Sequence, residues 1–212
     1  MMRRMGADTD HTPGTADAGH AAAAAFIARW RGVTASELST AQSFVIELCA
    51  LLGVEPPRHE AHYQFERPIT FTHGDGSTSA GRIDCYLRGH FVWESKKLKG
   101  GEAQAAAGSR RFDESLLKAR QQAENYARAL PAAEGRPPFV VVVDVGHVIE
   151  LYAEFTRSGA TYTPFPDPRS HRIRLEQLAD PAICARLKAL WTDPLSLDPS
   201  RASARVTREV AA

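Results

Sequence analysis

Three ionisable side chains in one short stretch have the types and spacing to do chemistry on a phosphate: Asp84, then Glu94 and Lys96. They lie in Arg82-Ile83-Asp84-Cys85-Tyr86-Leu87-Arg88-Gly89-His90-Phe91-Val92-Trp93-Glu94-Ser95-Lys96-Lys97, two extended runs around a glycine. Alternate side chains of a strand share a face. Ile83, Cys85 and Leu87 are therefore expected on one face with Asp84 on the other, and Glu94 and Lys96 share a face opposite Phe91, Trp93 and Ser95. A three-residue turn, Arg88-Gly89-His90, pairs Leu87 with Phe91 and sets Asp84 directly across from Glu94. Directly opposed residues have Cβ atoms about 4.5–5.5 Å apart. A two-residue turn would oppose Asp84 to Trp93 and send Glu94 to the other side. Three-residue loops want a residue tolerant of positive φ near their end, and Gly89 is available, so the odd loop is expected.

Two ionised carboxylates that close repel each other unless one takes a proton or a cation lies between them. Oxygen ligands on adjacent strands suit Mg²⁺, with Mn²⁺ as an alternative, and Mg²⁺ keeps several waters for a substrate. Asp84, Glu94 and the backbone carbonyl of Ser95 form the expected ligand set. Such a cation polarises a phosphodiester, helps generate hydroxide and stabilises the departing oxygen. Lys96 is then placed to orient or deprotonate the attacking water. This Asp…Glu-x-Lys layout is that of PD-(D/E)xK nucleases. As a string it is weak, with roughly one chance match per few hundred residues, and a surface hairpin with a salt-bridged carboxylate would also contain it. Strand parity and the aromatic backing of Trp93 favour the site.

Further signals surround it. Gln122 and Tyr126 are four apart on an expected helix and so share one face. Gln-x-x-x-Tyr after such a core resembles RecB-type nucleases, where the pair touches DNA or supports the metal site; the plainer reading is a Tyr packed on the sheet with Gln solvated. Glu37 and Glu47 are the acidic candidates on an early helix, with surface solvation the favoured reading of either. Lys97, Lys99, Arg110 and Arg111 form a local basic patch able to meet phosphates, although Lys plus Arg total 26 against 25 Asp plus Glu, a net charge of only +1. His59 and His62 lack a nearby third ligand. Asp144 ends a buried strand close to where a functional sheet edge could lie, but a turn-capping role is favoured, and Cys85 reads as core.

The positioning elements follow from periodicity. Residues 1–20 carry no period and read as disordered. Helices are expected from Ala22 to Trp30 and from Ser36 or Glu37 to Leu52, the latter stopped by Gly53. Tyr63, Phe65, Ile69 and Phe71 suggest a strand interrupted or edged by Pro68. His73-Gly74-Asp75-Gly76 is a turn, and a second strand resumes at Thr78. Phe112 to Leu130 has helical spacing and ends at Pro131. The β-branched run Phe139 to Val145 has the signature of a strand buried on both faces; Gly146-His147 turns it into Val148 to Phe155. A short helix near Leu175 to Trp191 and a Pro/Ser-rich tail close the chain. The order predicts an α/β fold, a mixed sheet flanked by helices of the restriction-endonuclease type. Three domain segments are expected: a leader over 1–21, the nuclease-like domain over 22–165, and a helical extension leading into a linker over 166–212.

The 212 residues suffice for one domain with a sizeable core. The longest apolar runs are strand-sized, which argues against a membrane span. Three widely spaced cysteines, Cys49, Cys85 and Cys184, fit neither a disulfide framework nor a cysteine zinc site. A cytoplasmic location is the expectation.

Beyond the motif, the chain resembles the amino-terminal region of MmeI-like enzymes, the type IIL single-chain restriction-modification proteins. The resemblance runs from about Phe26 to the end. It is carried by residues 36–49 (SELSTAQSFVIELC), Phe65-Glu66-Arg67-Pro68, Gly81-Arg82-Ile83-Asp84, Glu94-Ser95-Lys96, the Gln-Ala-x-x-Tyr of 122–126, and residues 191–200 (WTDPLSLDPS) and 206–211 (VTREVA). It implies Mg²⁺-dependent cleavage of double-stranded DNA at a distance from a recognised sequence. It also implies partner segments: a helical spacer, an adenine-N6 methyltransferase domain using S-adenosylmethionine, and a target-recognition domain. Neither a Gly-rich cofactor loop after a strand nor an Asn-Pro-Pro-Tyr motif occurs in these residues, so methylation is expected of a following segment, with the spacer beginning near Ala212. The alternative to an active nuclease is a catalytically idle DNA-binding or scaffolding domain of the same enzyme.

Overall fold

The computed structural model describes residues 15–33, 38–58, 60–96 and 108–201. Among them are helices α1 (Thr15–Trp30), α2 (Leu38–Leu52), α3 (Arg110–Ala129) and α4 (Pro181–Thr192). The strands are β1 (Tyr63–Thr72), β2 (Thr78–Leu87), β3 (Phe91–Ser95), β4 (Phe139–Asp144), β5 (Val148–Ala153), β6 (Thr163–Pro164) and β7 (Arg172–Arg174). They form one mixed sheet in the order β1-β2-β3-β4-β5-β6, with β7 also pairing to β5. Only β3 and β4 run parallel; the other pairs are antiparallel.

The sheet is covered on both faces. One face packs Phe91, Trp93, Phe139, Val141 and Leu151 against α1, α2 and α4; the other packs Tyr86, Val92, Val140 and Val142 against α3. All six residues of β4 are buried, which is why that run has no polar alternation. Each buried valine contributes about 1.5–3 kcal/mol relative to exposure. In α3, Phe112, Leu116, Ala119, Ala123 and Tyr126 recur at helical spacing and form its buried stripe. Ser109 caps the helix by accepting from the Phe112 N–H, and Pro131 follows its end. Pro68 sits in β1 at the sheet edge, where a missing N–H costs no ladder bond.

The regular alternation expected along β2 fails at one place. Cys85 and Leu87 join the core on the α2 side, but Ile83 joins the core on the α3 side, so the three do not share a face. The cause lies in the neighbouring strand: Glu66 takes a positive φ of 54°, a conformation that side-chain-bearing residues rarely adopt. Tyr63 and Phe65 before it pack on the α2 side, whereas Ile69 and Phe71 after it pack on the α3 side. The β1–β2 hairpin thus turns over between its two halves, and Asp84 sits at the crossing.

Two boundaries differ from expectation. Helix α1 starts at Thr15, seven residues before Ala22, because an alanine-rich stretch has high intrinsic helix propensity even without an apolar period. The segment after residue 165 is not peripheral: β7 extends the sheet, and Leu187, Leu190 and Trp191 enter the main core. Trp191 donates from Nε1 to the Tyr63 hydroxyl at 2.7 Å, tying α4 to β1. No helix among the described residues is long and apolar enough to cross a membrane.

Candidate active site

The β2–β3 hairpin closes through the three residues Arg88, Gly89 and His90, with Gly89 at φ 76°. Leu87 pairs with Phe91, Tyr86 with Val92 and Cys85 with Trp93. Continued by one more pair, that register would oppose Asp84 to Glu94, but the strands part before it. The ladder ends at Cys85 and Trp93, and beyond it the Ser95 N–H donates to Asp84 Oδ2 at 2.8 Å. A side-chain carboxylate has taken the place of a ladder carbonyl where the strands separate. Asp84 and Glu94 are each only 4 % exposed. Asp84 and Ser95 also line a narrow crevice with Ala41, Gln42 and Val45 of α2.

Glu94 is held from the other direction by α3. Gln122 Nε2 donates to Glu94 Oε1 at 2.8 Å and lies 2.9 Å from the Tyr126 hydroxyl, so the side-chain pair four residues apart reaches the site as one unit. The Arg82 N–H donates to the same hydroxyl at 3.4 Å. Gln122 is exposed although it is bonded to a buried carboxylate, so this flank opens to solvent. The plainer reading of a solvated Gln122 describes its exposure but not its bond.

The Tyr126 ring needs room, and Gly81 supplies it. A Cβ at Gly81 would stand 2.6 Å from Tyr126 Cε1 and 2.8 Å from Phe71 Cε2, and these two rings stack at 5.6 Å. Gly81→Ala is expected to push Tyr126 and Gln122 off Glu94. We predict a loss of about 1–3 kcal/mol of stability from overpacking, measured by denaturant unfolding. Unchanged stability would contradict this arrangement.

Lys96 lies on the same side as Gln122. Its ammonium sits 4.7 Å from the centroid of the Phe112 ring of α3 and 2.8 Å from Asp144 Oδ2, with side-chain exposures of 7 % and 5 %. The Lys96 N–H donates to the Val143 carbonyl at 2.7 Å, continuing the parallel β3–β4 register that pairs Ser95 with Val143. Asp144 is therefore not the turn cap expected of it: the turn closes through backbone, His147 N–H to Asp144 carbonyl at 3.0 Å, and the carboxylate turns to Lys96. A parallel pairing of the Phe139 run with β3 would have revealed this, but strand order is not written in the residues themselves.

The other expected residues fall at different places. Lys97, Lys99, Glu37 and His59 lie outside the described residues. Arg110 and Arg111 are exposed on the first turn of α3, next to Phe112, and Arg110 pairs with Glu114 at 3.0 Å. Glu47 accepts from Arg29 Nε at 2.8 Å and Trp30 Nε1 at 2.9 Å; it fastens α1 to α2 and is not part of the site. The polar α2 residue that lines the crevice is Gln42, which acidity as a criterion passed over. His62 is exposed beside Glu60. Burial pushes the Cys49 thiol up to about 11 and Cys85 well above its ordinary value, so neither is a thiolate near neutrality.

Among the described residues no three or more His, Cys, Asp or Glu side chains gather into a metal-binding group. The ligands expected from the sequence, the Asp84 and Glu94 carboxylates and the Ser95 carbonyl, are all oxygen donors. That set fits a hard cation that retains water and takes substrate oxygens, and it does not fit zinc.

The mixed sheet flanked by helices is the fold that the sequence motifs imply, and comparison with protein families decides which family the chain belongs to. A family model described as MmeI, N-terminal domain, matches residues 21–212. The chain belongs to the MmeI N-terminal domain family. No curated protein and no solved structure matches it. The family match spans all of the elements that carry the site, including β7 and α4, and places the chain with restriction-modification enzymes.

Proposed function

We propose that this MmeI N-terminal domain is a divalent-cation-dependent endonuclease module that hydrolyses phosphodiester bonds of double-stranded DNA. The observations that carry the reading are the Ser95 N–H that donates to Asp84 Oδ2 at 2.8 Å, next to Glu94 in sequence, and the placing of Glu94 by Gln122 and of Lys96 by Phe112 on the α3 side. Asp84, Glu94 and the Ser95 carbonyl would hold Mg²⁺ or Mn²⁺. A bound cation supplies Lewis-acid polarisation of the phosphodiester and lowers the pKa of an associated water. Gln122 and Tyr126 orient the Glu94 carboxylate. Lys96 presents a fixed positive charge to the phosphate or to the attacking water. Arg110 and Arg111, with Lys97 and Lys99, meet the DNA backbone, where each neutralised phosphate makes binding more salt-dependent.

A spacer and an adenine-specific methyltransferase, using S-adenosylmethionine, are the partner segments that this reading requires for site recognition, and the enzyme would work in the cytoplasm. The direct test is conversion of supercoiled plasmid by the purified domain, with and without the methyltransferase region, in Mg²⁺, Mn²⁺ or EDTA. Nicked or linear DNA only with a divalent ion supports the proposal. Salt-sensitive DNA binding with no cleavage in any ion and with the full enzyme assembled would leave an idle binding domain instead.

A further inference from the structure

Lys96 is caged more tightly than its proposed role alone requires. Its ammonium has the Asp144 carboxylate at 2.8 Å on one side and the Phe112 ring at 4.7 Å on another. Its backbone N–H is bound to the Val143 carbonyl at 2.7 Å. Asp144 is placed by the fold rather than by local sequence: it is the last residue of β4, 48 positions away from Lys96, and reaches it only because β3 and β4 run parallel. On its far side Asp144 Oδ1 is 3.5 Å from His147 Nδ1, whose hydrogen bond is with the Val145 carbonyl at 3.1 Å. Arg172 faces the same Phe112 ring at 5.9 Å and is itself engaged by Asp113 at 2.9 Å and by Glu150 at 2.7 Å. Of these carboxylates it is Asp144 that has the bond to Lys96.

We infer that Asp144 is a positioning residue for Lys96: with the Phe112 ring, it fixes where the lysine ammonium stands relative to Glu94. This rests on the nuclease reading of the site. A four-carbon side chain with free rotation would spread its charge over several ångströms, and positioning to within about half an ångström is what a reacting centre needs. Asp144 touches neither the phosphate nor the cation in this scheme and acts through Lys96 alone.

Two measurements test it. The first is the Lys96 Nζ cross-peak in a ¹H–¹⁵N spectrum of the isolated domain at low temperature. Caged ammonium protons exchange slowly and give a signal, assigned by its loss in Lys96→Met; Asp144→Asn is expected to abolish it. The second is a double-mutant cycle on single-turnover plasmid nicking by the holoenzyme with Mn²⁺. Asp144→Asn should slow nicking roughly 10- to 100-fold, as loss of a supporting partner usually does, with no change in DNA affinity. In the Lys96→Met background it should have no further effect, and Asp144→Glu should recover part of the rate. A persistent Nζ signal in Asp144→Asn, or an equal loss in both backgrounds, would overturn the assignment. If no protein in the series nicks DNA, the nuclease reading fails, and the spectrum still decides whether Asp144 holds the lysine.

Discussion

Asp84→Asn is expected to abolish cleavage while leaving the fold intact. The substitution is nearly isosteric, and an amide oxygen can still accept the Ser95 N–H that Asp84 Oδ2 accepts at 2.8 Å, so the end of the β2–β3 ladder stays closed. What disappears is the charge, and with it one of the two carboxylates proposed to hold the cation. Losing a cation's electrostatic stabilisation of a phosphoryl transition state removes several kcal/mol, so nicking should fall by about 10³-fold or more. A binding readout accompanies the kinetic one. A ligand present at about 100 times its Kd stabilises the folded state by about 2.7 kcal/mol, so saturating Mn²⁺ should raise the melting temperature of the wild-type domain and have almost no effect on Asp84→Asn. In EDTA the variant should unfold close to the parent, because its amide oxygen still accepts the Ser95 N–H. A variant that still shows the full thermal shift and still nicks DNA would remove Asp84 from the site. Asp84→Ala is the weaker test, since it also orphans the Ser95 N–H.

The contrast between what the residues disclosed and what they hid follows from the range of the interactions. The hairpin register was legible because it is local: one glycine-containing turn between two apolar-alternating runs admits few loop lengths, which fixes the pairs from Leu87–Phe91 to Cys85–Trp93. The Gln122–Tyr126 pair was legible because helical geometry relates residues four apart whatever they pack against. The turnover at Glu66 was not, since nothing in Phe65-Glu66-Arg67 marks a left-handed backbone in a residue that carries a side chain. Asp144 was hidden for a different reason. Its partner is set by a parallel pairing across the α3 crossover, and the hydrophobic run that announces a buried strand does not say which strand it lies beside. Glu47 shows the converse hazard: an acidic residue on the right helix, satisfied by Arg29 and Trp30, with no share in the chemistry.

Lys96→Met should be costly twice over. Methionine keeps much of the aliphatic length that packs by Phe112 but removes the ammonium, leaving Asp144, itself 4 % exposed, as a buried carboxylate without its cation. Breaking a buried pair by deleting one partner typically costs about 3–5 kcal/mol, because the remaining charge stays desolvated. The unfolding free energy should therefore drop by that order in urea titrations. Asp144→Asn added to Lys96→Met should restore a large part of it, since the stranded charge is gone. Cleavage behaves differently. Removing one preorganised positive group from a developing anionic centre costs about 10²–10³-fold, and the second substitution has nothing left to position, so activity should not return with stability. Recovery of folding without recovery of nicking separates a lysine that serves the chemistry from one that merely neutralises a buried acid; joint recovery would assign Lys96 to the fold alone.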